Sequence, residues 1–343
     1  MRFEDNVRFE QAANDQGRGC VSTISVLDGG MLGIEKPVVC AVAYYSRKMV
    51  ASCAWCFRHY LPFRRLVKAI SHVSETSSRS DQHLNNGWFW CEHCDILICD
   101  TCAASEHLSI HELVCPRGNP ERGALLRDLE KLSVRVTESF WLALLYMARL
   151  LVRGGRESQV KDVKLPEYFS SHDLVPTIEW YETHAIAQQL FGLEIKFVFW
   201  KRIVETFEQT NLYLEIENAT MMEDIAAGAL DDVTSNLLRR AYETHGFPAI
   251  IDEGADAIPL PVVVGSGHYP TVALMNHSCY PNVEWQSVNG TNTIGMVALR
   301  NIEPGDELCV SYIDQSLPRL ERRAELMRLY KFNCTCSKCL AGE

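Results

Sequence analysis

Asn276-His277-Ser278-Cys279-Tyr280-Pro281-Asn282 is the stretch from which the rest of this 343-residue sequence can be ordered. Downstream of it, Val283 to Val288 and Thr293 to Leu299 flank Asn289-Gly290, a dipeptide that tolerates positive φ at both residues and so closes hairpins. Pro304-Gly305-Asp306 marks the next turn, and Glu307 to Ile313 reads as a further strand. At the other end, residues 19 to 43 alternate or run apolar around the turn signal Asp28-Gly29-Gly30 and Pro37, which predicts two or three short strands. Between the two ends lie a cysteine-rich region from Cys53 to Cys115, including a polar Ser71–Asn86 stretch that reads as a loop, and a helical region. Leu125, Leu126, Leu129, Leu132 and Val136, then Leu142, Leu145, Met147 and Leu150, recur at helical spacing over about 122–210, with a helical block over Pro176 to Phe207. Such stripes read as core. Strands at both ends with helices and cysteines between them point to an α+β protein in which one fold is assembled from distant segments.

Composition narrows the function classes. Apolar residues at 47% and charged residues at 22% describe a globular chain with material for roughly two domains. A formal charge of -11 argues against gripping bare nucleic acid, which needs clustered Lys and Arg for counterion release. It suits a basic partner such as a Lys-rich tail, and equally it keeps a chain soluble. MRFEDNVRFE carries charges where a signal peptide has an apolar run, and the longest greasy stretch, Phe140 to Val152, contains Arg149 and is too short to span a bilayer. The expectation is a chain without membrane attachment in cytoplasm, nucleus or both, with no convincing basic import cluster to choose between them. In a reducing setting, 14 cysteines grouped in close pairs read as metal ligands rather than disulfides.

Four pairs supply eight candidate ligands: Cys53-x2-Cys56, Cys91-x2-Cys94, Cys99-x2-Cys102 and His111-x3-Cys115. Two tetrahedral zinc ions need eight N or S donors. A C-x2-C pair wraps a turn around one ion, and residues four apart on a helix project to the same side. His107, one helical turn before His111, leaves the histidine open; His59, His72, His83 and His93 read as solvated loop residues. Four protein donors per ion leave no open position for catalysis, so these sites should stabilise or bind. The arrangement resembles the MYND zinc finger, whose cross-brace implies Cys53, Cys56, Cys99 and Cys102 on one ion and Cys91, Cys94, His111 and Cys115 on the other. It departs in the 34 residues between Cys56 and Cys91 and in a tight third pair. MYND fingers bind proteins, often proline-rich peptides, so the resemblance implies a peptide partner.

The opening stretch, Asn276-His277-Ser278-Cys279 followed by Pro281-Asn282, is similar to the signature of SET-domain methyltransferases. Gly267-His268-Tyr269-Pro270 before it, and Leu299 to Leu308 running into Val310-Ser311-Tyr312-Ile313-Asp314 after it, resemble the family's flanks. The family implied is that of SET and MYND domain lysine methyltransferases, using S-adenosyl-L-methionine and a protein substrate with a target lysine. Methyl transfer to an amine is an in-line displacement, so the enzyme has to align amine, methyl and sulfur, exclude water and favour the neutral amine of a group near pKa 10.4. By resemblance Tyr312 is catalytic and lies at the cofactor, while Asn276 and His277 offer it backbone and side-chain hydrogen bonds. Gly17-Arg18-Gly19 resembles the first cofactor loop, Asn211 an asparagine that contacts the cofactor, and Phe332, with Tyr330, the aromatics set against the adenine or the lysine channel. Cys334-x-Cys336-x2-Cys339 offers three ligands where zinc wants four; the post-SET resemblance makes Cys279 the fourth, for about three zinc ions in all.

The organisation expected is a split SET β-fold: 1–52 its N-terminal part, 53–115 the finger, 116–210 a helical insert, 211–314 the catalytic part with an unaligned stretch at about 215–264, and 315–343 a post-SET zinc tail. The sequence ends four residues past Cys339, which on the resemblance leaves out a C-terminal helical domain that walls the substrate cleft in many relatives. Two rivals are a catalytically silent SET/MYND zinc scaffold and a ubiquitin ligase using the cross-braced cysteines; the latter leaves the C-terminal half unexplained. Oligomeric state is not legible.

Overall fold

The computed structural model describes residues 1–11, 18–43, 52–58, 82–83, 88–91, 93–94, 96–154, 174–217 and 262–343. A 3-10 turn (Phe3–Asn6) leads into β1 (Val7–Gln11), β2 (Arg18–Ser22), β3 (Met31–Glu35) and β4 (Val39–Val42). The cysteine-rich region adds β5 (Gln82–His83), β6 (Phe89–Cys91), β7 (Ile96–Ile98), α1 (Asp100–Ala103) and α2 (Glu106–Val114). Helices α3 (Pro120–Arg135), α4 (Ser139–Gly154), α5 (Ile178–Phe191) and α6 (Phe197–Thr210) follow. The chain continues with β8 (Asn211–Glu217), β9 (Val262–His268), β10 (Asn276–His277), β11 (Val283–Ser287), β12 (Ile294–Ala298), β13 (Glu307–Val310), α7 (Arg319–Tyr330) and α8 (Ser337–Leu340). These elements form two compact units: Met1–Val38 with His268–Asn289 and Thr293–Glu343, and Val39–Gly267 with Gly290–Asn292.

In the first unit the two ends of the chain pair directly, as the strands at both ends of the sequence imply. One sheet runs β1-β2-β13-β10, with β2 antiparallel to β13 and β13 parallel to β10; the other runs β11-β12-β3. Phe3, Leu32, Ile294, Met296 and Leu308 are buried among these strands. Gly33 lets the backbone pass close: a Cβ there would lie 2.7 Å from the backbone of Phe3. Asn289 and Gly290 do take positive φ, 53° and 61°. The Val288 N–H donates to Thr293 O (2.8 Å) and closes the four residues left between the expected strands. The strand expected over Glu307 to Ile313 stops at Val310; two residues on, the Tyr312 N–H goes to a side chain instead of a neighbouring strand.

The second unit holds the finger and the helices. Helix α4 is buried nearly all round, through Phe140, Leu142, Leu144, Leu145, Met147 and Leu151, which explains the greasy run: it is the central helix of this unit. None of the described helices is long and apolar enough to cross a membrane. The block expected over Pro176 to Phe207 is two helices, broken where Gly192 caps α5 with φ 64°. Asn119 caps α3 by accepting from Glu121 and Arg122 N–H, with Pro120 in the first turn. Of the polar stretch 71–86, Gln82–His83 is strand rather than loop, paired with Phe89 and Trp90; the remainder lies outside the described residues, as do 218–261 of the unaligned stretch.

Candidate active site and metal centres

Three clusters of sulfur and imidazole donors form: Cys53, Cys56, Cys99 and Cys102; Cys91, Cys94, His111 and Cys115; Cys279, Cys334, Cys336 and Cys339, the donor atoms of each within 4.8 Å of one another. Zn–S bonds of about 2.3 Å in a tetrahedron give sulfur–sulfur edges of about 3.8 Å. The pairs Cys56–Cys99, Cys91–Cys115 and Cys279–Cys339 stand at 3.6 Å and Cys279–Cys334 at 3.9 Å. Backbone donors also point at the sulfurs as they would at thiolates: Cys99 N–H to Cys53 Sγ (3.3 Å), Cys102 N–H to Cys99 Sγ (3.4 Å) and Cys336 N–H to Cys334 Sγ (3.4 Å). The three clusters fit about three zinc ions. His111, at the end of α2, reaches the second cluster; His107 bonds Ser105 Oγ and lies against the Trp55 ring, 5.0 Å between centroids. His59 and His72 lie outside the described residues, and His93 is exposed.

In the first unit, pairing of β2, β13 and β10 brings Gly19, Glu307 and Asn276 together. Asn276 Nδ2 donates to Glu307 Oε1 at 2.7 Å, and a Cβ on Gly19 would stand 2.7 Å from that oxygen and 3.4 Å from that nitrogen. Gly19 is itself buried, and the space a Cβ would take is held by the Asn276–Glu307 pair, so a residue without a side chain is what fits there. Gly17 lies outside the described residues; Arg18 opens β2 as backbone only. Asn211 opens β8 in the second unit, and its side chain lies outside the described residues.

Tyr312 follows β13 and is held at two points, by Met275 and by His277 of the opening stretch. Its hydroxyl donates to Met275 O, and its N–H donates to His277 Nδ1 at 3.0 Å. Its ring lies 4.8 Å from that of Tyr330, and His277 stands 5.3 Å from Tyr312 and 6.0 Å from Phe332 between centroids. Burial raises the Tyr312 and Tyr330 phenols above their ordinary range, so both stay protonated at neutral pH. Burial, aided by the Arg322 charge, lowers His277 to about 4, which keeps the imidazole neutral. The His277 ring is taken up within the protein, its other nitrogen, Nε2, lying 3.2 Å from Cys279 Sγ. Both ring nitrogens of His277 thus face protein atoms.

Asn282 of the opening stretch shapes this site further, together with two residues that sequence reasoning missed, Glu35 and Arg322. Asn282 acts as a piece of strand, its amide donating to Glu307 O (2.8 Å) and its carbonyl accepting from Cys309 N–H (2.8 Å). Glu35, whose buried carboxyl is raised by burial against the bonds it accepts, receives Thr271 N–H (2.8 Å) and Val272 N–H (3.2 Å) and so anchors the turn before β10. Arg322 is 2% exposed; it donates to Leu317 O and Glu343 O, each at 2.6 Å, and to Cys339 Sγ at 3.9 Å, a cation set against the tail thiolates. A lone Glu at a strand end and one Arg among several in α7 carry no signal in sequence.

The family model described as SET domain matches residues 79–313. A SET and MYND domain-containing protein of Dictyostelium discoideum is 46% identical over 79 residues, 23% of this chain and 15% of that protein's length. The mouse (Mus musculus) protein-lysine N-trimethyltransferase SMYD5 is 23% identical over 99% of this chain and 88% of its own length. The histone-lysine N-methyltransferase ATXR2 of Arabidopsis thaliana is 33% identical over 45% of this chain and 30% of its own length. Because the model match takes in more than half of the residues, Asn276, His277 and Tyr312 among them, the chain belongs to the SET domain family.

Proposed function

We propose that this chain is an S-adenosylmethionine-dependent protein lysine methyltransferase. The observation that carries the reading is the convergence of Gly19, Asn276, His277 and the doubly anchored Tyr312 at one sheet of the first unit. The names of full-length relatives, protein-lysine N-trimethyltransferases at 85–88% coverage of their own length, support it. Gly19, Asn276, His277 and Phe332 would hold the cofactor, which supplies a methyl group on a cationic sulfur. Tyr312 and Tyr330 line an apolar, hydrogen-bonded wall that excludes water and disfavours a charged amine. The Tyr312 oxygen, fixed by donating to Met275 O, keeps a lone pair with which to orient the amine. Methyl transfer from labelled S-adenosylmethionine to histones and whole-cell lysate tests this. Activity in wild type, and its loss by at least 100-fold in Tyr312→Phe with unchanged circular dichroism, is the expected result; equal activity in the two removes Tyr312 from the mechanism.

The substrate is proposed to be a Lys-rich protein segment, in keeping with the charge of -11. The finger's partner is proposed to be an extended, proline-containing peptide; a cavity of about 260 Å³ between finger and helices, lined by Trp55, Ile96, Leu126 and Trp141, is in keeping with that. Tryptophan fluorescence unchanged by proline-rich peptides up to millimolar concentration would sink it. Residence is proposed in cytoplasm, nucleus or both; fractionation that recovers the chain in membranes would refute this.

A further inference from the structure

Gly123, Leu126, Arg127 and Glu130 recur at steps of three and four along α3, so they share one face of that helix, and all four line the cavity of about 260 Å³ against the finger. The floor of the cavity is apolar: Val42, Ile96, Leu126 and Leu145 are buried there beside Trp141. Its rim is polar, with His93 and Arg127 exposed. A Cβ on Gly123 would stand 3.2 Å from Arg127 Nη1, so glycine at that position lets the guanidinium lie along the helix at the rim. Two further arginines flank lining residues: Arg117 follows Pro116 and Arg122 precedes Gly123, near enough for the charge of Arg117 to bear on Arg122. Glu112 answers Arg117 at 3.4 Å, and Arg122 donates to Cys115 O and Leu190 O. Arg127 has no carboxylate partner among the described residues, whereas Glu130 on the same rim is already engaged. In a chain of formal charge -11, this rim is positive.

We propose that this cavity is the anchor site of a peptide partner that carries a leucine-sized apolar side chain with an acidic residue next to it, the apolar side chain entering between finger and helices and the carboxylate pairing with Arg127. Whole small molecules take sites of roughly 300–1,000 Å³, so a cavity of this size suits one large side chain. Burying that side chain supplies the affinity, and the exposed ion pair supplies the choice between partners. The acid is read by α3 rather than by the finger, which provides only part of the site. The inference rests on the peptide reading of the finger and narrows it: proline keeps the segment extended, while the acid beside the anchor decides which segment binds.

Fluorescence anisotropy of a labelled Gly-Ser-Pro-Leu-Glu-Pro-Ser-Gly peptide with the full chain tests this, beside versions with Gln or Lys for Glu and with Ala for Leu. Wild type should bind the Glu peptide about fivefold tighter than the Gln peptide at low salt, a margin that shrinks in about 0.5 M salt. Ala for Leu should weaken binding about tenfold. Arg127→Glu, at an exposed position, should keep the Tm and turn the preference toward the Lys peptide by about fivefold. Glu and Gln peptides bound alike by wild type, or an unchanged preference in Arg127→Glu, overturns the role of Arg127; Leu and Ala peptides bound alike overturns the anchor. If neither this set nor a polyproline peptide binds, the peptide reading of the finger falls and this inference with it, whereas binding of polyproline alone sinks only this inference. Self-association in sedimentation that Arg127→Glu abolishes, with no peptide bound, would give the cavity to a second copy of the chain and overturn the peptide.

Discussion

Replacing Gly19 by alanine puts a methyl group 2.7 Å from Glu307 Oε1 and 3.4 Å from Asn276 Nδ2. The nearer atom ends a flexible, exposed side chain, so relief comes from rotating Glu307 away rather than from moving strands. What is lost is the 2.7 Å bond from Asn276 to Glu307. A hydrogen bond in that setting is worth about 1 kcal/mol, or roughly fivefold in an equilibrium constant. Asn276 would then hold its amide less firmly at the place where the proposed function seats the cofactor. The expected outcome is a Kd for S-adenosylmethionine raised at least fivefold by titration calorimetry, a kcat at saturation reduced less than threefold and an unchanged Tm. Glu307→Gln keeps an acceptor and should bind nearly as wild type. Wild-type Kd in Gly19→Ala would refute the placement of the cofactor beside Asn276.

Metal analysis should return about three zinc ions per chain, and Cys279→Ser should return about two together with loss of activity, since the same short stretch carries Cys279 and His277; one ion or none in the wild type would undo the ligand sets. Gly265→Ala should lower the urea-derived stability by about 2 kcal/mol, because its Cβ would fall 2.5 Å from the Phe57 ring and 2.6 Å from Ala41 O; an unchanged midpoint would mean that the second unit packs otherwise. Burial holds the His268 imidazole down to about 3, against an unfolded value near 6.5. The unfolded chain therefore binds the proton first, and the stability His268 contributes is full above pH 6.5 and is lost as pH falls toward 3, by on the order of 4 kcal/mol. His268→Gln should flatten that part of the acid limb, and an equally steep decline in both proteins would show that His268 is not its source.

Local chemistry was legible in the sequence wherever neighbours along the chain do the work. A C-x2-C pair closes its own turn around an ion, so four pairs announced two sites, and helical spacing announced α3 and α4. Asn289 and Gly290 revealed a turn because positive φ is a property of those residues, and the strands expected up to Val288 and from Thr293 left it the four residues that their pairing closes. The early end of the strand before Tyr312 was not readable, because that N–H has found His277, a residue 35 positions away.

The sequence by itself determined that short strands at both ends enclose a cysteine-rich region and helices, that the cysteines come in ligand pairs, and that Asn276, His277 and Tyr312 belong to one constellation. The three donor sets are those that the MYND and post-SET resemblances implied; tertiary structure decided the histidine left open, with His111 taken and His107 left against Trp55. It alone assigned the His277 ring to Tyr312 and Cys279, and set Arg322 and Glu35 in place. The reason is physical: spacing fixes what a residue can reach along its own chain, whereas a buried donor, acceptor or charge takes its meaning from the partner that folding brings to it.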